Sequence, residues 1–125
     1  MILYHITKEK YLPLIFTEGL RINTGKTGFC PRTAHRRYKR AFGMQPIFLT
    51  NRVNLIRTML TPDWIIKNKA VLLEVDVELI KDVNYNAGGF ILIDDDNNYI
   101  PTEYRYLEDI QPKNIRLNKK MYLEL

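Results

Sequence analysis

One histidine and one glutamate, near opposite ends of the chain, are the residues best placed to do chemistry. His5 stands in the strand-type run Ile2-Leu3-Tyr4-His5-Ile6-Thr7. Glu103 stands in Pro101-Thr102-Glu103-Tyr104-Arg105-Tyr106, which closes on Leu107-Glu108-Asp109-Ile110-Gln111-Pro112. A histidine can hydrogen-bond a sugar hydroxyl or move a proton near neutral pH. A carboxylate can stabilise the positive charge that develops on a sugar as a glycosidic bond breaks. Each residue also has a plain structural role. A strand histidine is commonly satisfied by a backbone group, and a strand glutamate commonly pairs with a neighbouring Arg or Lys.

Other chemistries find less support. Gly25-Lys26-Thr27 lacks the upstream glycine of a phosphate-cradling loop. Cys30, His5 and His35 are too few and too badly spaced for zinc. His35 adjoins Arg36 and Arg37, which disfavour both its charged form and metal binding. Cys30 has nothing beside it to activate it as a nucleophile. Asp94-Asp95-Asp96 lacks the glycine and terminal glutamate of a calcium loop and reads as a solvated turn. No metal is therefore expected.

These residues need elements to hold them. At 125 residues, one domain spanning 1–125 is expected. The single cysteine allows no internal disulfide. No apolar run approaches the roughly 20 residues of a membrane span, and residues 8–10 bring charge too early for a signal peptide. A cytoplasmic protein is the expectation. Residues 2–6 read as a strand with Leu3, His5 and Thr7 on one face. Pro13 and Gly19 bracket a short helix. Residues 47–50 read as a strand, and Asn51 as the cap of a helix over 52–60. Thr61-Pro62-Asp63 ends that helix or starts a further turn containing Trp64. Residues 70–77, apolar on both faces in their first half, read as a central strand. Residues 82–89 read as a connector. Strands are expected over 90–93 and 99–107, with 115–117 and 122–125 adding a closing strand. Tyr104 and Tyr106, on the face opposite Glu103, read as core aromatics.

Charge is unevenly placed. Between Gly19 and Pro62 there is no acidic residue but nine basic ones, against a net charge of +5 for the whole chain. The rest of the chain is therefore net acidic. Five of the nine, Arg32, Arg36, Arg37, Lys39 and Arg40, fall in a stretch without regular period that could hold a basic helix over 32–42. Such a block is either a solvated loop or a footprint for the phosphates of a nucleic acid or dinucleotide.

Taken in order, four segments carry a resemblance. Leu3-Tyr4-His5-Ile6-Thr7, followed by a helix ending Glu18-Gly19-Leu20, resembles the start of the ADP-ribosyltransferase superfamily. Ile47-Phe48-Leu49-Thr50-Asn51 resembles its next core strand, and residues 71–77 its central hydrophobic strand. Glu103-Tyr104-Arg105-Tyr106 with Ile110-Gln111-Pro112-Lys113-Asn114-Ile115 resembles the glutamate-bearing strand and its closing turn. The resemblance implies an α+β fold with a split, curved, antiparallel-rich sheet, short helices and a cleft between the half-sheets that takes NAD as substrate. It implies that Glu103 is catalytic and holds the 2′-hydroxyl of the nicotinamide ribose. It implies that His5 bonds a ribose hydroxyl or the nicotinamide end, that Thr7 shapes the same wall, and that Thr50 and Asn51 occupy the middle motif.

Two positions depart from the family pattern. Many members carry a middle tyrosine that stacks on nicotinamide. None stands near Thr50, so Tyr38 or Phe42 would have to reach in from the basic stretch. Pro101 stands where arginine-modifying members have Glu or Gln, which disfavours an arginine acceptor. The basic residues favour a nucleic-acid acceptor, DNA or RNA, as in DarT-like toxins that modify DNA bases; a protein acceptor is the other branch. A small bacterial or phage toxin-like enzyme would have an antitoxin or host protein as partner. Two alternatives remain. One is an RNA 2′-phosphotransferase-like enzyme, though that branch has Arg where Tyr4 stands. The other is a non-catalytic module binding nucleic acid or protein through its basic face.

Overall fold

The structure, a computed structural model, describes residues 1–23, 43–93 and 95–125. The chain opens with β1, Ile2–Lys8. A 3-10 turn over Glu9–Tyr11 leads into helix α1, Leu12–Glu18. Pro13 sits in its first turn, where a missing N–H costs nothing. The helix ends at Gly19, whose φ is 82°. A side chain there would run into the carbonyl of Ile110, so the glycine is needed for close approach as well as for its backbone angle. Leu20 and Ile110 exchange backbone hydrogen bonds at 3.0 and 2.8 Å, and Ile22 N–H donates to Asp109 at 2.9 Å. The chain after α1 is thereby pinned to the turn that follows Glu103's strand.

Next come β2, Ile47–Leu49, helix α2, Val53–Met59, and helix α3, Pro62–Asn68. The cap expected at Asn51 is corrected here. Thr50 Oγ1, not Asn51, accepts from Arg52 N–H at 2.9 Å, and the residue flanking α2 is Arg52, without a side-chain cap. The turn expected around Trp64 is a full helix. Thr61 Oγ1 caps it by accepting from Trp64 N–H at 3.1 Å, and Lys69 closes it in the left-handed conformation.

Four strands complete the chain: β3, Ala70–Asp76, β4, Tyr85–Ile93, β5, Tyr99–Tyr106, and β6, Ile115–Lys120. The connector expected over 82–89 is wrong in its second half. Asn86-Ala87-Gly88 has poor strand propensity, yet its register against Arg105, Tyr104 and Glu103 is fixed, so ladder pairing overrides propensity. The closing strand is also corrected: β6 runs to Lys120, and Met121–Glu124 forms a 3-10 turn. The buried Met121 folds that turn back onto the core.

The fold is α+β, with two antiparallel three-stranded sheets ordered β1-β3-β6 and β2-β5-β4. β3 pairs on both edges, as its apolar sequence predicts. Pro101 is tolerated inside β5 because β2 pairs only with residues 104–106. Two cores form. One joins Leu3, Leu73 and Val75 of the first sheet to Leu49, Tyr104 and Tyr106 of the second. The other sets Ile6, Ala70 and Leu72 against Ile65 of α3 and Met121. Each such fully buried aliphatic side chain contributes about 1.5–3 kcal/mol. Among the described residues, no helix is long and apolar enough to cross a membrane.

Candidate functional site

The two sheets meet at a single residue pair. Tyr4 N–H donates to Thr50 O at 2.8 Å, and Thr50 N–H donates to Tyr4 O at 2.9 Å. No further backbone pair between β1 and β2 is formed among the described residues. In a regular ladder Ile6 would pair with Phe48 next. Instead the His5 ring reaches across, and its Nδ1 lies 2.9 Å from Phe48 O. A carbonyl can only accept, so Nδ1 carries the hydrogen and donates. A side chain thus replaces a ladder bond where the sheet opens. Taken through this seam, the strand order is β4-β5-β2-β1-β3-β6.

The register sorts side chains between the faces. Leu49 pairs with Tyr104 on the core side, and Phe48 with Arg105 on the other. One step further, Thr50 falls across from Glu103. Tyr4 and Thr50 are themselves a pair. Tyr4, Phe48, Thr50, Glu103 and Arg105 therefore share one face across the seam. His5 and Thr7 fall on the other face, with Leu3 and Leu73. His5 and Glu103 thus leave opposite faces of the pleat, two strands apart, on either side of the opening.

Beside Tyr4, an open cavity of about 260 Å³ is lined by Asn51, Arg52, Val53 and Asn54. That is slightly below the ~300–1,000 Å³ usual for ligand sites, room for part of a nucleotide. Asn51 Nδ2 donates to the Tyr104 hydroxyl at 3.3 Å, while its Oδ1 is buried without a partner. Burial first, and Tyr85 second, raise the Tyr104 hydroxyl above its ordinary value, with Arg52 opposing. Tyr104 therefore stays a neutral phenol across the physiological range. Its ring packs on Tyr85 at 5.5 Å and 51°.

Glu103 is held by its own strand. Arg105 Nη2 lies 3.3 Å from Glu103 Oε2, and the two side chains are 22% and 28% exposed. Gly88 pairs with Glu103 across the ladder. A Cβ on Gly88 would stand 2.5 Å from Arg105 Cζ and Nη2, so the guanidinium occupies the space that a side chain there would fill.

Of the residues the sequence singles out, Glu103 and Asn51 stand partly exposed, and Asn51, but not Glu103, lines the cavity. Thr50 is buried, and its hydroxyl is committed: it donates to Thr102 O at 2.8 Å and accepts from Arg52 N–H. His5 and Thr7 are buried as well. Tyr38, Phe42, Arg32, Arg36, Arg37, Lys39 and Arg40 lie outside the described residues, as do Cys30 and His35. Sequence reasoning passed over Phe48, Tyr4, Arg52 and Arg105. The signal for Phe48 was available: two residues before Thr50 on a strand, it must share Thr50's face. It is an aromatic beside Thr50, on the face that Thr50 and Glu103 share. Among the described residues, no group of three or more His, Cys, Asp or Glu side chains could hold a metal ion. Comparison with protein-family models, curated proteins and solved structures found no match for this chain.

Proposed function

We propose that the chain is an NAD-dependent ADP-ribosyltransferase, with the split-sheet fold of that superfamily and a nucleic-acid acceptor. The observation that carries the reading is the seam. A six-strand order is interrupted where one strand bears His5, and two strands away stands Glu103, on the face that also holds Phe48 and Thr50. Two half-sheets with a histidine at their parting, and a glutamate two strands away on the other face of the pleat, support the order that the four sequence segments imply.

In this reading the nicotinamide ribose lies over Thr50 and against Glu103, and Phe48 offers a ring for the nicotinamide to stack on. The Glu103 carboxylate accepts a hydrogen bond from the ribose 2′-hydroxyl. The bond between C1′ and the nicotinamide nitrogen breaks, and its electron pair leaves with neutral nicotinamide. Positive charge grows on the ribose as that happens, and the fixed carboxylate stabilises it only as it forms. An acceptor nitrogen or oxygen then bonds to C1′ and gives up its proton. His5, tied to Phe48, sets the width of the opening and so the fit of the ribose between the half-sheets. Arg52, beside the cavity, suits an anionic phosphate. The basic residues 32–40 favour a nucleic-acid acceptor over a protein one.

The reading is tested with labelled NAD in bacterial lysate from which nucleic acid has not been removed. The expected result is label in material that nuclease, and not protease, releases. A wild-type protein that transfers no label and frees no nicotinamide would overturn it.

A further inference from the structure

The sequence gives Arg105 no special standing, yet it touches the residue on which the chemistry turns. We propose that Arg105 is a positioning residue for Glu103, and that Gly88 is glycine in order to seat it; the proposal rests on the reading of Glu103 as the catalytic carboxylate. Three observations converge. Arg105 and Glu103 are i and i+2 on one strand, so both project from the same face, and their ion pair spans 3.3 Å. The guanidinium is not a solvated surface group, since only 22% of the side chain is exposed. Its position is shaped by the neighbouring strand: Gly88, opposite Glu103, leaves open the volume in which Cζ and both nearby nitrogens lie. Gly88 has no positive φ to explain it. Its lack of a side chain is explained by the guanidinium above it.

The consequence is specific. A carboxylate alone on a strand samples several rotamers, and only some present an oxygen to the ribose 2′-hydroxyl. A guanidinium anchored on one oxygen restricts it to one orientation and leaves Oε1 to the substrate. Orientation of this kind acts on the reacting geometry: a displacement of about 1 Å costs on the order of 10²-fold in rate. Arg105 therefore tunes kcat through Glu103 without touching NAD.

The test measures nicotinamide release from NAD by the whole protein. Arg105→Ala and Gly88→Ala are expected to lower kcat by about 10–100-fold with KM for NAD nearly unchanged. Gly88→Ala displaces only the flexible end of Arg105, so its melting temperature should stay near that of the wild type. Guanidinium ion added to Arg105→Ala should restore activity several-fold, which a fold defect would not allow. In the Glu103→Gln background Arg105→Ala should cost nothing further, because its effect passes through that carboxylate. Wild-type kcat in both Arg105→Ala and Gly88→Ala, with Glu103→Gln inactive, overturns the positioning role and leaves the proposed function standing. Full activity in Glu103→Gln, or none in the wild type, overturns the proposed function and this inference with it.

Discussion

At the scale of single residues, His5 is a structural group at the seam, and on the proposed reading a functional one as well. Its Nδ1–H donates to the Phe48 carbonyl at 2.9 Å, where the backbone ladder between the sheets has stopped among the described residues. Replacing His5 by Ala should therefore cost about 0.5–1.5 kcal/mol through the lost hydrogen bond, read as a drop in the chemical-denaturation midpoint. His5→Asn, which keeps a short donor, should recover part of that stability and not the activity. A His5→Ala protein as stable as the wild type would show that the bond carries no weight. Phe48 gives the complementary case. Stacking of a nucleobase-like ring on an aromatic side chain is worth about 1–3 kcal/mol. Phe48→Ala should therefore raise the dissociation constant for NAD about tenfold or more in calorimetric titration, and unchanged affinity would remove Phe48 from the site. His5 and Glu103 were legible from residue type and segment context. Phe48 is legible only through strand alternation from Thr50, since the family pattern asks for a tyrosine and none stands in that strand.

At the scale of elements, the strands that hold the site depend on turns with few contacts to spare. Asn84 is buried before β4, where its Oδ1 accepts from Ile80 N–H at 2.9 Å and its Nδ2 donates to Glu78 O at 2.7 Å. Its own carbonyl accepts from Leu107 N–H at 2.8 Å, tying the start of β4 to the end of β5. Asn84→Ala should destabilise by about 1–3 kcal/mol, since two part-buried backbone hydrogen bonds are lost; a thermal melt checks it. At the other end, the Tyr122 hydroxyl, and behind it the Lys120 ammonium, hold the Glu9 carboxyl below its ordinary value of 4.5. A depressed carboxylate pKa stabilises the folded state above the unfolded value and is lost as pH falls through the folded one. The docking of Met121–Glu124 should accordingly weaken on acidification below about pH 4.5. Glu9→Gln should abolish that part of the acid transition, and an unchanged acid limb would contradict the assignment. These elements also show where sequence patterning runs out. β1, α1 and β3 were legible because hydrophobic runs and the Pro13 and Gly19 signals mark them. The first half of β4 was not, because Asn86-Ala87-Gly88 is strand only by virtue of its partners. The cap expected at Asn51 is absent because Asn51 points instead to Tyr104, while Thr50 accepts from Arg52 N–H and Arg52 flanks the helix.

At the scale of the molecule, the charge distribution and the split sheet belong to one account. The nine basic residues between Gly19 and Pro62 face no acidic residue in that stretch. If they track phosphates, binding to single-stranded nucleic acid should weaken linearly in logarithmic salt, by about 0.7 in slope for each phosphate neutralised. Replacing Arg36, Arg37, Lys39 and Arg40 together by Gln should flatten that slope while leaving nicotinamide release from NAD intact. An unaltered slope would locate the acceptor elsewhere. The α+β class and the antiparallel pairing were expected from the resemblance of the four segments, and the observed short helices and antiparallel sheets agree with that. The parting of β1 from β2 was not visible in the residues themselves, because it lies in one missing backbone pair and one side chain that stands in for it. The proposed function turns on Glu103 acting on NAD, and the most direct measurement is transfer of labelled ADP-ribose by wild type and Glu103→Gln at matched melting temperature and matched NAD affinity. The account predicts transfer by the wild type and a loss of about 10²–10³-fold in the variant; equal transfer by both would contradict it.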